Sequence, residues 1–545
     1  MTGRFAEHPS AAGTPVGGRF ARSGAVFLAF LAAAMVFTFP LVANVTRAVP
    51  DTGDPLLDAW VFGWVAHQLA RDPIHLFDAN RFYPETGTLA FTDPMLALTV
   101  PLAPFQALAD NPILTLNVAM LLSLALSGLG AYRLAHYLTG DAIASGVAGS
   151  IFAFNPYRLS HLAHVNLQAA GFIPLTFLCL IRFLEKGRKR DAVGLGAFLW
   201  LVSASCAYYG VFTWIGLAVA VPYELARTGA RERPRRVLAL GLVLGLSALA
   251  YLPLAMPLIR LDREYGMTRP LDRLQRFSAR PIDYLRSGAD AHRAVGFEPP
   301  RRGKNLFPGI VALGLSFLAL LRPTRVTWLF LLVGGFAFWA SLGPDYWLYS
   351  LLHTVVPGVS GLRAPPRFVI LVMLALSVLA ALAVAWIRSA GTGKLARFAP
   401  LLIVVPLLES TRFPNPYTEA PLFPPVYEWL RSRSDRSPVV EVPITWPLHK
   451  NALYLYWSTR HYEPLANGHA TLVPPVFIEL RRAMEGFPDR SSMELIRNNG
   501  FELVILHKDL FLRQHAAAME EAMDAEPGLQ LVYRTENERV YRVLR

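Results

Sequence analysis

Apolar runs of about 17 to 25 residues recur from Ala25 to Glu409, and each is long enough to cross a hydrocarbon core of roughly 30 Å as a helix. In such a core every backbone donor and acceptor must be satisfied within the chain, so the repeated runs restrict the fold to a helical membrane bundle. A mean hydropathy of +0.36, with 53% apolar and 17% charged residues, excludes an ordinary soluble domain. The first run, Ala25 to Val45, reads as a retained helix: a long tail precedes it, no small-residue cleavage site stands out and more spans follow. Cys179 and Cys206 fall inside apolar runs, which leaves a disulfide scaffold or a cysteine metal site unsupported. The net charge of +13 is spread over short loops and forms no compact basic domain, so no nucleic-acid partner is expected.

Basic loops set the expected orientation. Arg4, Arg19 and Arg22, then Lys186 to Arg190, Arg227 to Arg236, Arg322 and Arg325, and finally Arg388, Lys394 and Arg397 all favour the cytoplasm. They share one side only if Pro94 to Ala109 does not cross. Pro94, Pro101 and Pro104 each remove a backbone donor and suit a juxtamembrane or re-entrant helix. The expected spans are Ala25–Val45, Pro112–Tyr132, Ala142–Phe154, Leu167–Leu184, Ala192–Tyr208, Val211–Ala226, Leu238–Ile259, Leu306–Leu321, Thr327–Leu342, Phe368–Ile387 and Phe398–Leu408. The loop from Arg260 to Lys304 is rich in arginine yet falls outside; it is either a solvated, partly acid-balanced loop or an electropositive collar for a phosphate.

The fold class is therefore a mainly α polytopic membrane protein of about 11 transmembrane helices with a C-terminal extracytoplasmic α/β domain. Residues 1–23 form a disordered cytoplasmic tail, and 24–410 the transmembrane domain with an outside loop at 46–111 carrying juxtamembrane helices. Residues 411–545 form the α/β domain. In that last part a helix is expected at Pro425–Arg433, strands at Val439–Val442 and Glu502–Leu506, and a helix at Asp509–Asp524. A capping box opens another helix at Ser491 to Glu494, and a terminal hairpin pairs Leu529–Val532 with Val540–Leu544.

Directly after the first apolar run stand three carboxylates, in Asp51-Thr-Gly-Asp54-Pro-Leu-Leu-Asp58. From Pro55 to Ala70, apolar and aromatic positions recur at helical spacing, with Trp60 and Trp64 one turn apart, as in a helix lying in the membrane interface. Asp54 is placed as its N-cap with Pro55 at the first helical position. Capping leaves Asp51 unexplained, and Asp58 is expected to be solvated on the helix surface.

The order of parts resembles the GT-C superfamily of polytopic glycosyltransferases: a first span, an acidic outside loop, two juxtamembrane helices, many further spans and an outside C-terminal domain. Gly53 to Trp60, Phe82-Tyr83-Pro84, Asn155 to His164, Leu306 to Gly309 and Gly361 to Phe368 resemble, over nearly the whole chain, an uncharacterised bacterial membrane family described as glycosyltransferase-like. The two acidic residues here are separated by two positions, whereas some GT-C branches carry them side by side.

The resemblance implies a membrane glycosyltransferase that moves a sugar from a polyprenyl-phosphate-linked donor to a glycan, lipid or protein acceptor of the cell envelope, on the outer face of a bacterial inner membrane and with inversion. Such a displacement needs a base, cationic help for the departing phosphate and a lipid groove. Asp54, with Asp51 as rival, is the candidate base, and Arg363, Arg367, Arg158, His161 and His164 are candidates for the donor phosphate. Asp51, Asp54 and Asp93 could hold a divalent cation, Mg2+ or Mn2+, through oxygen ligands. Two other classes stay open. A flippase for a lipid-linked sugar would need ionisable residues at mid-membrane and a repeated topology. A non-catalytic scaffold would leave the acidic and basic loop residues apart.

Overall fold

The computed structural model describes residues 16–266, 268–390, 397–444, 448–470 and 472–544. Lys394 and residues 1–15 of the expected tail lie outside them. Helix α1 (Val16–Phe37) already runs at the end of that tail. Four more helices follow the first loops: α2 (Asp54–Arg71), α3 (Leu96–Ala109), α4 (Pro112–Thr139) and α5 (Ala142–Ala153).

The chain is a multi-pass membrane protein. Among the described residues, five helices are long and apolar enough to cross a bilayer: Pro112–Thr139, Val165–Lys186, Ala207–Arg227, Arg233–Tyr265 and Pro365–Ser389. Other expected spans appear as shorter apolar helices, among them Ala21–Phe37, Ile310–Ala319, Arg325–Ser341 and Ala399–Ser410. Run length overstates helix length where glycine and proline turn the backbone. The run beginning at Leu306 becomes helical only at Ile310, because Gly309 sits at a φ of 106°, open to glycine and strained for other residues. The Glu409 carboxylate then accepts the Ile310 and Val311 N–H groups at 3.2 Å and caps the helix. Helix α3 contains Pro101 and Pro104 and spans 14 residues, about 21 Å at the helical rise and too short to cross.

Two compact units make up the chain. One comprises Met1–Ala43, Ala119–Pro253 and Thr268–Asn415; the other comprises Asn44–Val118, Leu254–Met267 and Pro416–Arg545. In the first, the helix Val369–Ser389 is the core element. Val369, Ile370, Met373 and Leu374 are fully enclosed, packed with Phe177, Leu199, Phe330 and Val333.

In the second unit, the segment after the first span joins the C-terminal residues through strand pairing. Strand β1 (Ala48–Val49) lies antiparallel to β2 (Thr418–Glu419). A four-stranded sheet has the order β3-β4-β6-β5, from β3 (Val439–Val442), β4 (Leu503–His507), β5 (Leu529–Arg534) and β6 (Glu538–Val543). Strands β3 and β4 are parallel, and β6 is antiparallel to both β4 and β5. One face buries Val440, Val442, Val504, Leu506, Tyr541 and Val543. The helix expected from a capping box runs Arg490–Asn498 and is capped two residues earlier than expected. The Asp489 carboxylate accepts the Ser492 N–H, and Glu494 pairs with Arg490.

Helix α2 departs from the interfacial reading. Every residue from Pro55 to Ala66 is buried, Asp58 included, so Asp58 is not a solvated surface group. Trp60 Nε1 donates to Asn80 Oδ1 at 3.0 Å and Trp64 Nε1 to the Leu76 carbonyl at 2.9 Å. The two indoles are held by protein, and the helix is enclosed on all sides from Pro55 to Ala66.

Burial also sets an acid limit on stability. Enclosure first, then neighbouring cations, pushes His67 down to about 3, and enclosure does the same to His461. His461 Nδ1 accepts the Glu463 N–H at 2.9 Å, which requires an unprotonated nitrogen. The unfolded chain takes up protons below its ordinary histidine value near 6.5 while the folded chain does not. Stability is therefore expected to fall as pH drops from about 6.5 towards 3. Thermal unfolding followed from pH 7.5 to 5 should show a declining midpoint, with a shallower decline in His461→Asn.

Candidate functional site

The two groups of residues picked out by the sequence fall in different units. In the second unit, the turn entering α2 reverses the expected roles of its carboxylates. Asp51 Oδ1 accepts the Gly53 N–H at 2.8 Å and so shapes the turn. The N-cap is Gly53, and no side chain caps the helix. Asp54 is thus not the cap but the first helical residue, where the positive end of the helix favours a carboxylate. Its Oδ1 lies 3.4 Å from His469 Nε2, with the Asp54 side chain 43% exposed and that of His469 15%.

His469 was not singled out from the sequence, where Asn467-Gly-His469 is only a polar break between apolar residues. Arg81 positions it. That guanidinium is wholly buried, donates Nη1 to the His469 carbonyl at 2.8 Å, and gives Nε and Nη2 to the Thr88 carbonyl at 3.1 and 2.8 Å. It stacks over Trp60 at 4.8 Å. Burial brings it down to about 9, still charged at neutral pH. The backbone before His469 runs against an aromatic wall: a Cβ at Gly468 would stand 2.3 Å from the Phe82 ring. Gly468→Ala should destabilise the unit by about 1–3 kcal/mol, as overpacking does, which a denaturant titration would register.

The same unit contains a cavity of about 780 Å³ lined by His67, Arg71, Arg431, Arg436 and Arg460 among others. Its basic lining is scattered over α2 and the C-terminal residues, so no local sequence signal marks it.

In the first unit, Asn155 caps a single turn, Pro156–Leu159, by accepting the Arg158 N–H. Arg158 is fully buried. Its Nη2 donates to the Gln168 carbonyl at 2.6 Å, while Nε and Nη1 are enclosed without a partner. Burial lowers it to about 10, so it too stays charged. His161 Nδ1 lies 2.8 Å from the Tyr157 carbonyl. Burial, helped by His164 and Arg367, pushes His161 down to about 3. His161 is therefore a neutral imidazole that donates from Nδ1 and leaves Nε2 as an acceptor, not a cation. The His164 ring centroid lies 5.8 Å away.

The motif Gly361 to Phe368 runs from the end of one 3-10 turn, Val359–Gly361, through a second, Pro365–Phe368, into the helix Val369–Ser389. Arg367 packs over the Tyr208 ring at 4.3 Å, and the Tyr208 hydroxyl accepts the Arg363 N–H at 2.9 Å. Arg269, from the basic loop, donates Nε to the Gly361 carbonyl at 3.1 Å, and burial together with the Arg363 charge lowers its pKa. Other charges of that loop are balanced locally, as in Arg301 with Asp283 and Arg286 with Glu298.

Among the described residues, none of Arg158, Arg269, Arg363 and Arg367 forms an ion pair. Arg158 and Arg367 act on Tyr157, and Arg269 and Arg367 on Tyr208, without a paired carboxylate, a setting that favours an anion, since planar guanidinium forks suit phosphate oxygens.

The fold is that of GT-C membrane glycosyltransferases. Over 96% of its length the chain is similar to the arabinofuranosyltransferase AftD from Mycobacteria, at 17% identity and a TM-score of 0.62, and spans 40% of that protein. ArnT from Cupriavidus metallidurans, solved bound to undecaprenyl phosphate, is similar over 97% of this chain and 98% of its own, at 12% identity and a TM-score of 0.51. The oligosaccharyltransferase AglB from Archaeoglobus fulgidus, solved with an inhibitory peptide and a dolichol-phosphate, is similar over 96% and 74%, at 11% and 0.52. Residues 26–267 match a family model described as a domain of unknown function, DUF6311. No curated protein matches the chain.

Proposed function

We propose that the protein is a membrane glycosyltransferase that takes a sugar from a polyprenyl-phosphate-linked donor and passes it, with inversion, to an acceptor of the bacterial cell envelope. The observation that carries this is the unpaired cation cluster of Arg158, Arg269, Arg363 and Arg367. Two similar folds held undecaprenyl phosphate and dolichol-phosphate, which supports a lipid-linked donor.

In this reading Asp54 takes the proton of the acceptor's O–H or N–H, with His469 beside it to orient the carboxylate. The acceptor atom bonds to the anomeric carbon as the bond from that carbon to the phosphate oxygen breaks. The phosphate leaves with the electron pair, and its growing charge needs cationic stabilisation. His164 joins the phosphate-binding set, while His161 contributes Nε2 as an acceptor. The proposed arrangement keeps eleven spans, a cytoplasmic N-terminus and an extracytoplasmic C-terminal domain in the bacterial inner membrane.

A divalent cation at Asp51, Asp54 and Asp93 is a separate proposal. Their oxygens suit Mg2+ or Mn2+, but Asp51 already gives one oxygen to Gly53 and Asp54 faces an imidazole, so no step is routed through it. Transfer that survives EDTA would remove the cation.

Donor binding is tested with the full chain in nanodiscs and undecaprenyl phosphate, read by native mass spectrometry. One lipid phosphate retained by the wild type and lost in Arg158→Met supports the reading. Equal retention by both overturns the assignment of the cluster.

A further inference from the structure

Away from these groups, on the face of the C-terminal sheet opposite its apolar core, three potential ligands meet. His507 ends β4 and stands in register with Glu538 at the start of β6, and Asp509 follows two residues on. One ligand atom from each lies within 4.8 Å of the other two.

His507 is fully buried, and its Nε2 lies 2.7 Å from Oε2 of the equally buried Glu441. Tyr427 donates its hydroxyl to that same oxygen. The other imidazole nitrogen, Nδ1, is enclosed without a hydrogen-bond partner. A buried imidazole with one nitrogen held by a carboxylate and the other unsatisfied is the arrangement of a metal-ligating histidine, whose tautomer is fixed by an outer carboxylate.

The surroundings agree. Tyr427, Tyr454 and Trp457 lie with ring centroids 5.4 to 6.0 Å from His507 and keep that side dry. Glu538 is buried and shares one oxygen with the Thr535 hydroxyl, whereas Asp509 is exposed and offers an entry. Glu441, Asp509 and Glu538 place three carboxylates around a single imidazole, a negative charge that a dication offsets in large part.

We propose that His507 Nδ1, Asp509 and Glu538 bind a divalent transition metal of the Zn2+ type, with Glu441 orienting the imidazole from behind. Zn2+ accepts imidazole nitrogen and carboxylate oxygen, and three protein ligands leave a fourth position for water, while an imidazole ligand disfavours Mg2+ and Ca2+. Bound there, the ion would tie the end of β4 to the start of β6, the second strand of the terminal hairpin.

The test uses the full chain in detergent, stripped with chelator, incubated with Zn2+ or Co2+ and desalted. Metal content by mass spectrometry should be near one ion per chain. The Co2+ form should show visible d–d absorption. Asp509→Asn, at an exposed position that spares the fold, should lose most of the metal and the absorption, while Glu494→Gln on an exposed helix should keep both. The same metal content in Asp509→Asn as in the wild type overturns the proposal. So does a wild type that binds neither ion, or one from which excess Mg2+ displaces Zn2+.

Discussion

Replacing Asp54 by Asn should abolish most sugar transfer and leave the fold intact. A positioned base contributes typically about 10²- to 10⁴-fold, so kcat should fall by that range with little change in donor KM. The fold should survive because the Asp54 side chain is 43% exposed and caps nothing, the entry turn being held instead by Asp51 on Gly53. Asp51→Asn should then act differently: it weakens a turn and costs about 0.5–1.5 kcal/mol of stability, with a modest effect on turnover. A circular-dichroism melt beside the kinetics separates the two. Equal losses of kcat from both substitutions would mean that the turn, and not the Asp54 base, controls activity.

The second large effect belongs to Arg367. Its guanidinium rests on Tyr208 and acts on Tyr157 and His161 without a carboxylate partner. Arg367→Met should weaken donor binding by about 10- to 150-fold, the range of about 1.5–3 kcal/mol for hydrogen bonds to a charged group. Arg367→Lys should recover only part of this, since a point charge on a flexible stem does not reproduce the fork. Arg363→Met should cost less, because its side chain lies against Phe277 and only its backbone N–H meets Tyr208. Donor KM and phosphate inhibition constants would rank the three.

Much of the scaffold was readable because apolar run length and strand alternation are local. Val439–Val442, the second strand and the terminal hairpin lie where the sequence puts them. What failed was governed by long-range contacts. The aromatic stripe of α2 suits a helix lying in the membrane interface, yet Asn80 and the Leu76 carbonyl claim both indoles. Asp58 follows the same helix into the interior. The roles of Asp51 and Asp54 were exchanged because Asp-x-Gly can close a turn on itself and relieve the next Asp of capping. His469 and Arg81 carry no motif; only the fold brings position 81 to position 469. Arg269 was visible as one arginine among many in its loop, and its distinction is that Gly361 and Ser360 hold it while Asp283 and Glu298 neutralise other members.

The most direct measurement is turnover by the purified full chain in nanodiscs with a radiolabelled polyprenyl-phosphate sugar and a cell-envelope extract. Label transfer and released polyprenyl phosphate are followed together. Wild type should move label and release the lipid phosphate in equal amounts, with Asp54→Asn slower by about 10²-fold or more. Equal rates for wild type and Asp54→Asn, or lipid phosphate retained while label moves, would contradict the account.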